Sequence, residues 1–119
     1  RSFFFGVWDC FALVRDFFRV KHGILLPNIP RENGFWLRNE PVFETFLSDF
    51  DVDPVPLNQA RQNDILLYAL HGQKHLDHCG VMQENGLVLH HYENHVSQAL
   101  PISFHQQYLR CAVRVRGVK

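Results

Sequence analysis

Apolar residues near the start of the chain recur at helical spacing. Leu13, Val14, Phe17 and Phe18 fall on one side of a helix from about Cys10 to His22, and Arg15, Asp16, Arg19 and Lys21 fall on the other. Asp9 is a suitable N-cap and Gly23 a suitable stop just past the last turn. Leu26-Pro27-Asn28-Ile29-Pro30-Arg31 then reads as a loop between prolines. A second helix is predicted over Val42–Phe50, with Phe43, Phe46, Leu47 and Phe50 on one side. Asp51 to Pro56 is extended, since residues before prolines avoid the helical region.

Farther along, the pattern changes to that of strands. Asp64–Leu70, Cys79–Gln83 and Leu87–Tyr92 are short, dense apolar runs, and Glu84-Asn85-Gly86 is a turn between the last two. Arg110–Arg116 sets Cys111, Val113 and Val115 against arginines, the signature of a half-exposed strand. Helices first and strands afterwards predict an α+β fold, with N-terminal helices packed on a small antiparallel sheet. The 119 residues show no repeat or linker and fit one domain, 1–119, because domains commonly hold about 100–150 residues.

Composition narrows the function classes. A hydrophobic share of 46% with 20% charged residues suits a packed core and argues against disorder. A formal net charge of +0 gives no electrostatic case for nucleic acid, whose binding rests on neutralising phosphates. No apolar run approaches the roughly 18 residues of a membrane span, so no membrane insertion is expected. The opening Arg1, in place of Met, leads us to expect a piece of a longer protein with a neighbouring domain outside it. Phe3, Phe4 and Phe5 would suit a contact with that domain or a place in the core.

Cys10, Cys79 and Cys111 are an odd set without a CxxC pair, a poor disulfide framework. Cys79 and Cys111 sit in apolar strands and read as small buried hydrophobes. Cys10 alone opens a helix, where the terminus favours a thiolate over the free thiol with its pKa of about 8.5. A nucleophilic cysteine also needs a base, itself held by a third group, and His78 and then the adjacent His90 and His91 lie on later strands in that order. Zinc is the competing use of His71, His75, His78, Cys79, His90, His91 and His95, but no ligand pair of finger spacing appears. No metal or cofactor is expected.

The motifs resemble those of the NlpC-type cell-wall peptidases, a compact branch of the papain-like cysteine peptidases. Asp9-Cys10-Phe11-Ala12-Leu13-Val14, Gln62-Asn63-Asp64-Ile65-Leu66 and His78-Cys79-Gly80-Val81 stand, in order, where that family has its nucleophile helix, its Asp-Leu strand and its histidine strand. Gly6-Val7-Trp8-Asp9-Cys10, Leu26-Pro27 and Leu89-His90-His91-Tyr92-Glu93-Asn94 are closer still to the peptidase half of lambdoid phage tail-tip assembly proteins. The resemblance implies a papain-like fold with Cys10 as nucleophile, His78 as base and then acid, and His90 as orienter. It also implies the substrate, a stem-peptide bond of peptidoglycan. The setting would be a phage tail tip, assembled in the host cytoplasm, with other tail-tip proteins as partners. A non-catalytic assembly module and a protease that processes another tail protein are the alternatives. Phe11-Ala12 stands where the family has Ser-Gly, and Phe5 where it often offers a tyrosine hydroxyl. Weak activity is therefore among the expectations, since one lost oxyanion donor can cost about 100- to 1000-fold in rate.

Two adjacent histidines on one strand point to opposite faces, so hairpin register decides which one meets His78. A two-residue Asn85-Gly86 loop sets Gly80 opposite His91. A three-residue Glu84-Asn85-Gly86 loop sets it opposite His90 and turns Val81, Leu87 and Leu89 towards one core face. Apolarity favours the second, and with it His90. Asp9 has two readings, N-cap or direct substrate contact. Its charge opposes a thiolate next door, which puts activation on His78 and the helix terminus.

Overall fold

The computed structural model describes residues 9–29, 31, 42–71, 75–91 and 97–118, apart from the side chains of Phe46 and Asp49. Helix α1 spans Cys10–His22. Asp9 is extended at φ −137° and accepts the Ala12 N–H at 2.9 Å, which caps the first turn. Gly23 ends the helix at φ 65°; its N–H donates to Arg19 O, and the Ile24 N–H donates to Phe18 O. That double closure needs a left-handed residue, which glycine supplies without steric cost. Helix α2 covers Val42–Asp49.

Six strands form one antiparallel sheet: β1 (Val52–Val55), β2 (Ile65–Tyr68), β3 (His78–Met82), β4 (Leu87–His90), β5 (Gln98–Pro101) and β6 (Leu109–Val115), in the order β1-β6-β2-β3-β4-β5. The α+β class expected from the sequence is the one observed. Asp51 to Pro56, read only as extended, contains strand β1, and β5 went unforeseen. Both are edge strands, where a proline such as Pro54 or Pro101 removes no ladder bond the sheet requires.

All four β2 residues, Ile65 to Tyr68, are buried because both faces of the sheet are covered. Ile65 and Leu67 join Phe11, Val14, Phe18, Phe43, Cys79, Val81 and Val113 in a core beneath the helices. Leu66 and Tyr68 join Val88 and Ala112 in a second cluster on the opposite face, closed by Ile102, Tyr108 and Leu109. Burying each large apolar side chain stabilises the fold by roughly 1.5–3 kcal/mol. At the β2–β6 pairing the register shifts between Leu67 and Tyr68, with Leu67 opposite Cys111 and Tyr68 opposite Leu109. Arg110 is the extra residue of this bulge, a device that bends a strand and re-aims its side chains.

The β3–β4 hairpin takes the longer of the two forms. The Gln83 N–H donates to Leu87 O at 2.7 Å, and Asn85 and Gly86 lie at φ 59° and 74°. Val81 stands opposite Leu89 and Met82 opposite Val88, which puts Gly80 across from His90. The faces differ from the apolarity argument in one respect. Leu87 and Leu89 are only half-buried, while Val88 and His90 are the fully buried pair. The second core cluster, not visible in the sequence pattern, claims that face.

Candidate functional site

At the head of α1, Asp9 carries two loads. Besides capping Ala12, its carboxylate receives the Arg31 guanidinium in a forked pair, Nε to Oδ2 at 2.5 Å and Nη2 to Oδ1 at 2.7 Å. The paired side chains are 0% and 1% exposed. Arg31 is fixed in turn by Asn28 Oδ1 at 2.7 Å and Ile29 O at 2.6 Å, and its guanidinium lies 5.0 Å from the centroid of the Phe11 ring. The proline-flanked loop is thus a clamp on the residue before the nucleophile candidate. Phe11 is buried in the core against Phe43 and Phe50.

Cys10 is buried at 1% exposure and lies against Cys79 of β3. Burial pushes the Cys79 thiol well up, assisted by its hydrogen bond to Cys10 and the Asp9 charge, with Arg31 opposing. Burial also raises the Cys111 thiol. Both thiols are therefore held protonated and poor as nucleophiles, as small buried hydrophobes should be. Among the described residues, Cys10 makes its thiol contact with Cys79, one position along β3 from His78.

The two histidines of the candidate triad meet. His78 Nε2 lies 2.9 Å from His90 Nδ1, with ring planes at 19°. Burial, then the neighbouring His90, holds His78 well below its ordinary pKa of 6.5. Burial, then His105, brings His90 down to about 4. Both rings are neutral at pH 7, which a base requires. Gly80 makes the meeting possible: a Cβ there would come within 2.8 Å of Val88 Cγ1 and 3.0 Å of His90 Nδ1.

His91 turns the other way. It is fully buried, its Nδ1 is 2.7 Å from Ser97 Oγ, and it feels the Asp9 carboxylate. The second sequence motif is structural: Asp64 accepts the Arg61 N–H at 2.9 Å and a forked pair from Arg114 at 2.8 and 2.9 Å. His71 and His75 are tied to carboxylates, to Asp77 at 2.6 Å and Glu44 at 3.3 Å. Among the described residues no group of three or more His, Cys, Asp or Glu could hold a metal ion. Phe3, Phe4, Phe5, Trp8 and His95 lie outside the described residues.

Three participants escaped the sequence reading. Tyr68 packs its ring 5.5 Å from His78 and 5.4 Å from His90, and its buried hydroxyl has no hydrogen-bond partner among the described residues. His105, left-handed at φ 58°, lowers both histidines through its charge. Arg31 closes on Asp9 across 22 positions. Only Arg31 had a sequence signal, a cation ending a proline-bounded loop after an acidic cap.

Comparison with known proteins follows the same lines. The NlpC/P60 family model matches residues 1–114. The chain is similar to tail tip assembly protein K of Escherichia phage N15, 28% identical over 127 residues, covering 100% of this chain and 49% of that protein. It is similar to tail tip assembly protein K of Escherichia phage lambda, 31% identical over 98 residues, covering 82% and 48% respectively. The chain spans about half the length of these curated relatives. A crystal structure of a lipoprotein-like NLP/P60 family protein from Staphylococcus aureus has the same fold, at TM-score 0.60 and 17% identity over 96% of this chain and 36% of that one.

Proposed function

The chain belongs to the NlpC/P60 family, and on that footing we propose that it is a cysteine endopeptidase domain of a phage tail-tip protein. Its substrate is a peptide bond in the stem peptides of peptidoglycan. Cys10 attacks the peptide carbonyl as a thiolate and forms a thioester. His78 delivers the proton to the leaving amine, then activates the water that hydrolyses the thioester. His90 holds the His78 ring through the 2.9 Å Nε2–Nδ1 contact. That contact carries the reading, because a base and its orienter stand together twelve positions apart on neighbouring strands, on the sheet face they share with Tyr68.

The chemistry requires the Cys10 thiol, which meets Cys79 on the helix side of β3, to reach the His78 ring, which packs with Tyr68 and His90 on the other side. The test is incubation of the protein with purified peptidoglycan. Release of muropeptides, abolished by Cys10→Ala, supports the proposal; intact peptidoglycan under a folded, thiol-reactive protein overturns it.

The second reading is a non-catalytic tail assembly module. Two observations favour it: the names of the tail-tip relatives, and the contact of Cys10 with Cys79. A thiol-directed probe separates the two. An enzyme labels at Cys10 and loses labelling with His78→Ala, whereas a scaffold labels no better than an ordinary buried thiol.

A further inference from the structure

A carboxylate beside a nucleophilic thiol is a liability, since its charge disfavours the thiolate. Asp9 is the residue before Cys10, and the capping of α1 requires it there. The structure supplies the remedy in the same contact. Arg31 covers both Asp9 oxygens, at 2.5 and 2.7 Å, in surroundings from which water is excluded. Asn28 and the Ile29 carbonyl fix the guanidinium in place.

We propose that Arg31 is a positioning residue for the nucleophile, which neutralises the Asp9 carboxylate so that the Cys10 thiolate can form beside it. This rests on Cys10 being the nucleophile. The two charges act on the thiol cluster with opposite sign: Asp9 raises the neighbouring Cys79 thiol and Arg31 lowers it. The other titratable groups of that cluster carry no charge at neutral pH. Burial and its hydrogen bond to Cys10 keep Cys79, from β3, protonated, and burial keeps His91, just past β4, neutral. His78 is likewise neutral. Among the described residues, Asp9 and Arg31 are thus the charged pair that acts on the Cys10–Cys79 thiols.

The test reads Cys10 directly, without substrate. Iodoacetamide alkylation of the Cys10 peptide, quantified by mass spectrometry from pH 4 to 10, gives a half-maximal pH for each variant. Arg31→Gln should move that midpoint up by about 1 to 2 pH units, and Asp9→Asn, which keeps a capping side chain, should move it down. The double variant should return towards the parent. A purely structural pair would weaken folding in both single variants without opposed shifts, and unchanged or same-direction midpoints overturn the proposal. Should Arg31→Gln fail to fold, Asp9→Asn and the double variant still differ by the guanidinium alone, and equal midpoints there overturn it. A parent midpoint at the free-thiol value of about 8.5 overturns the nucleophile reading itself, and this inference with it.

Discussion

His78 Nε2 and His90 Nδ1 stand 2.9 Å apart, and the pairing fixes the chemistry of both rings. A bond between two neutral imidazoles needs one donor and one acceptor. In the proposed mechanism, with Nε2 of His78 engaged by His90, the proton exchanged with Cys10 would pass through Nδ1. His78→Ala should therefore lower muropeptide release by about 100- to 10,000-fold, the range for loss of a general acid–base. His90→Ala should be strongly impaired and His91→Ala should retain activity. A dead His91→Ala beside an active His90→Ala would reverse the assignment.

Acid should weaken the fold through the same histidines. His90 titrates at about 4 in the folded chain against an ordinary 6.5, and His78 is depressed as well. The unfolded chain then binds protons that the folded chain refuses, so this contribution to stability is lost as pH falls from about 6.5 towards 4, at up to ~1.4 kcal/mol per pH unit for each proton. Urea midpoints across that window should fall more steeply for the parent than for His90→Gln. Equal slopes would mean that the ring is not the group responsible.

Gly80→Ala should be costly although it adds one methyl group. The new Cβ would meet Val88, the Leu89 carbonyl and His90 at 2.8 to 3.0 Å. Overpacking of this kind typically costs about 1–3 kcal/mol. Denaturant unfolding measures that loss, and His90, as the displaced neighbour, should carry a loss of activity with it.

Tyr68→Phe should move the other way. The hydroxyl is buried without a partner among the described residues, and an unsatisfied polar group costs about 1–3 kcal/mol. Phenylalanine keeps the ring against both histidines and removes that cost, so the unfolding midpoint should rise. Loss of stability would show that the hydroxyl has a bonding partner, for instance an ordered water.

Local signals carried much of this fold. The α1 stripe, its Asp9 start and Gly23 stop, and the Glu84-Asn85-Gly86 turn were legible because each depends on residues within a few positions of one another. The edge strands β1 and β5 were not, since their pairing is non-local and prolines interrupt their pattern. In the candidate site, the His78–His90 meeting followed from hairpin parity. Arg31, Tyr68 and His105 were hidden because tertiary packing alone brings them there. The burial of Val88 and His90, in place of Leu87 and Leu89, has the same origin in a second core cluster.

The hairpin turn has a consequence for how this gene can tolerate length changes. Removing one codon from Glu84–Gly86 would leave two residues between Gln83 and Leu87, the length of the commonest hairpin loops, so Gln83 could still pair with Leu87 and Gly80 would still stand across from His90. The sensitive codons lie inside the strand. Without Leu89, His90 would take the place of Leu89 and His91 the place of His90, which keeps an imidazole before His78. A chain with that deletion that still cleaves, but now depends on His91, would show that adjacent histidines make the site robust to the loss of a residue in its own strand.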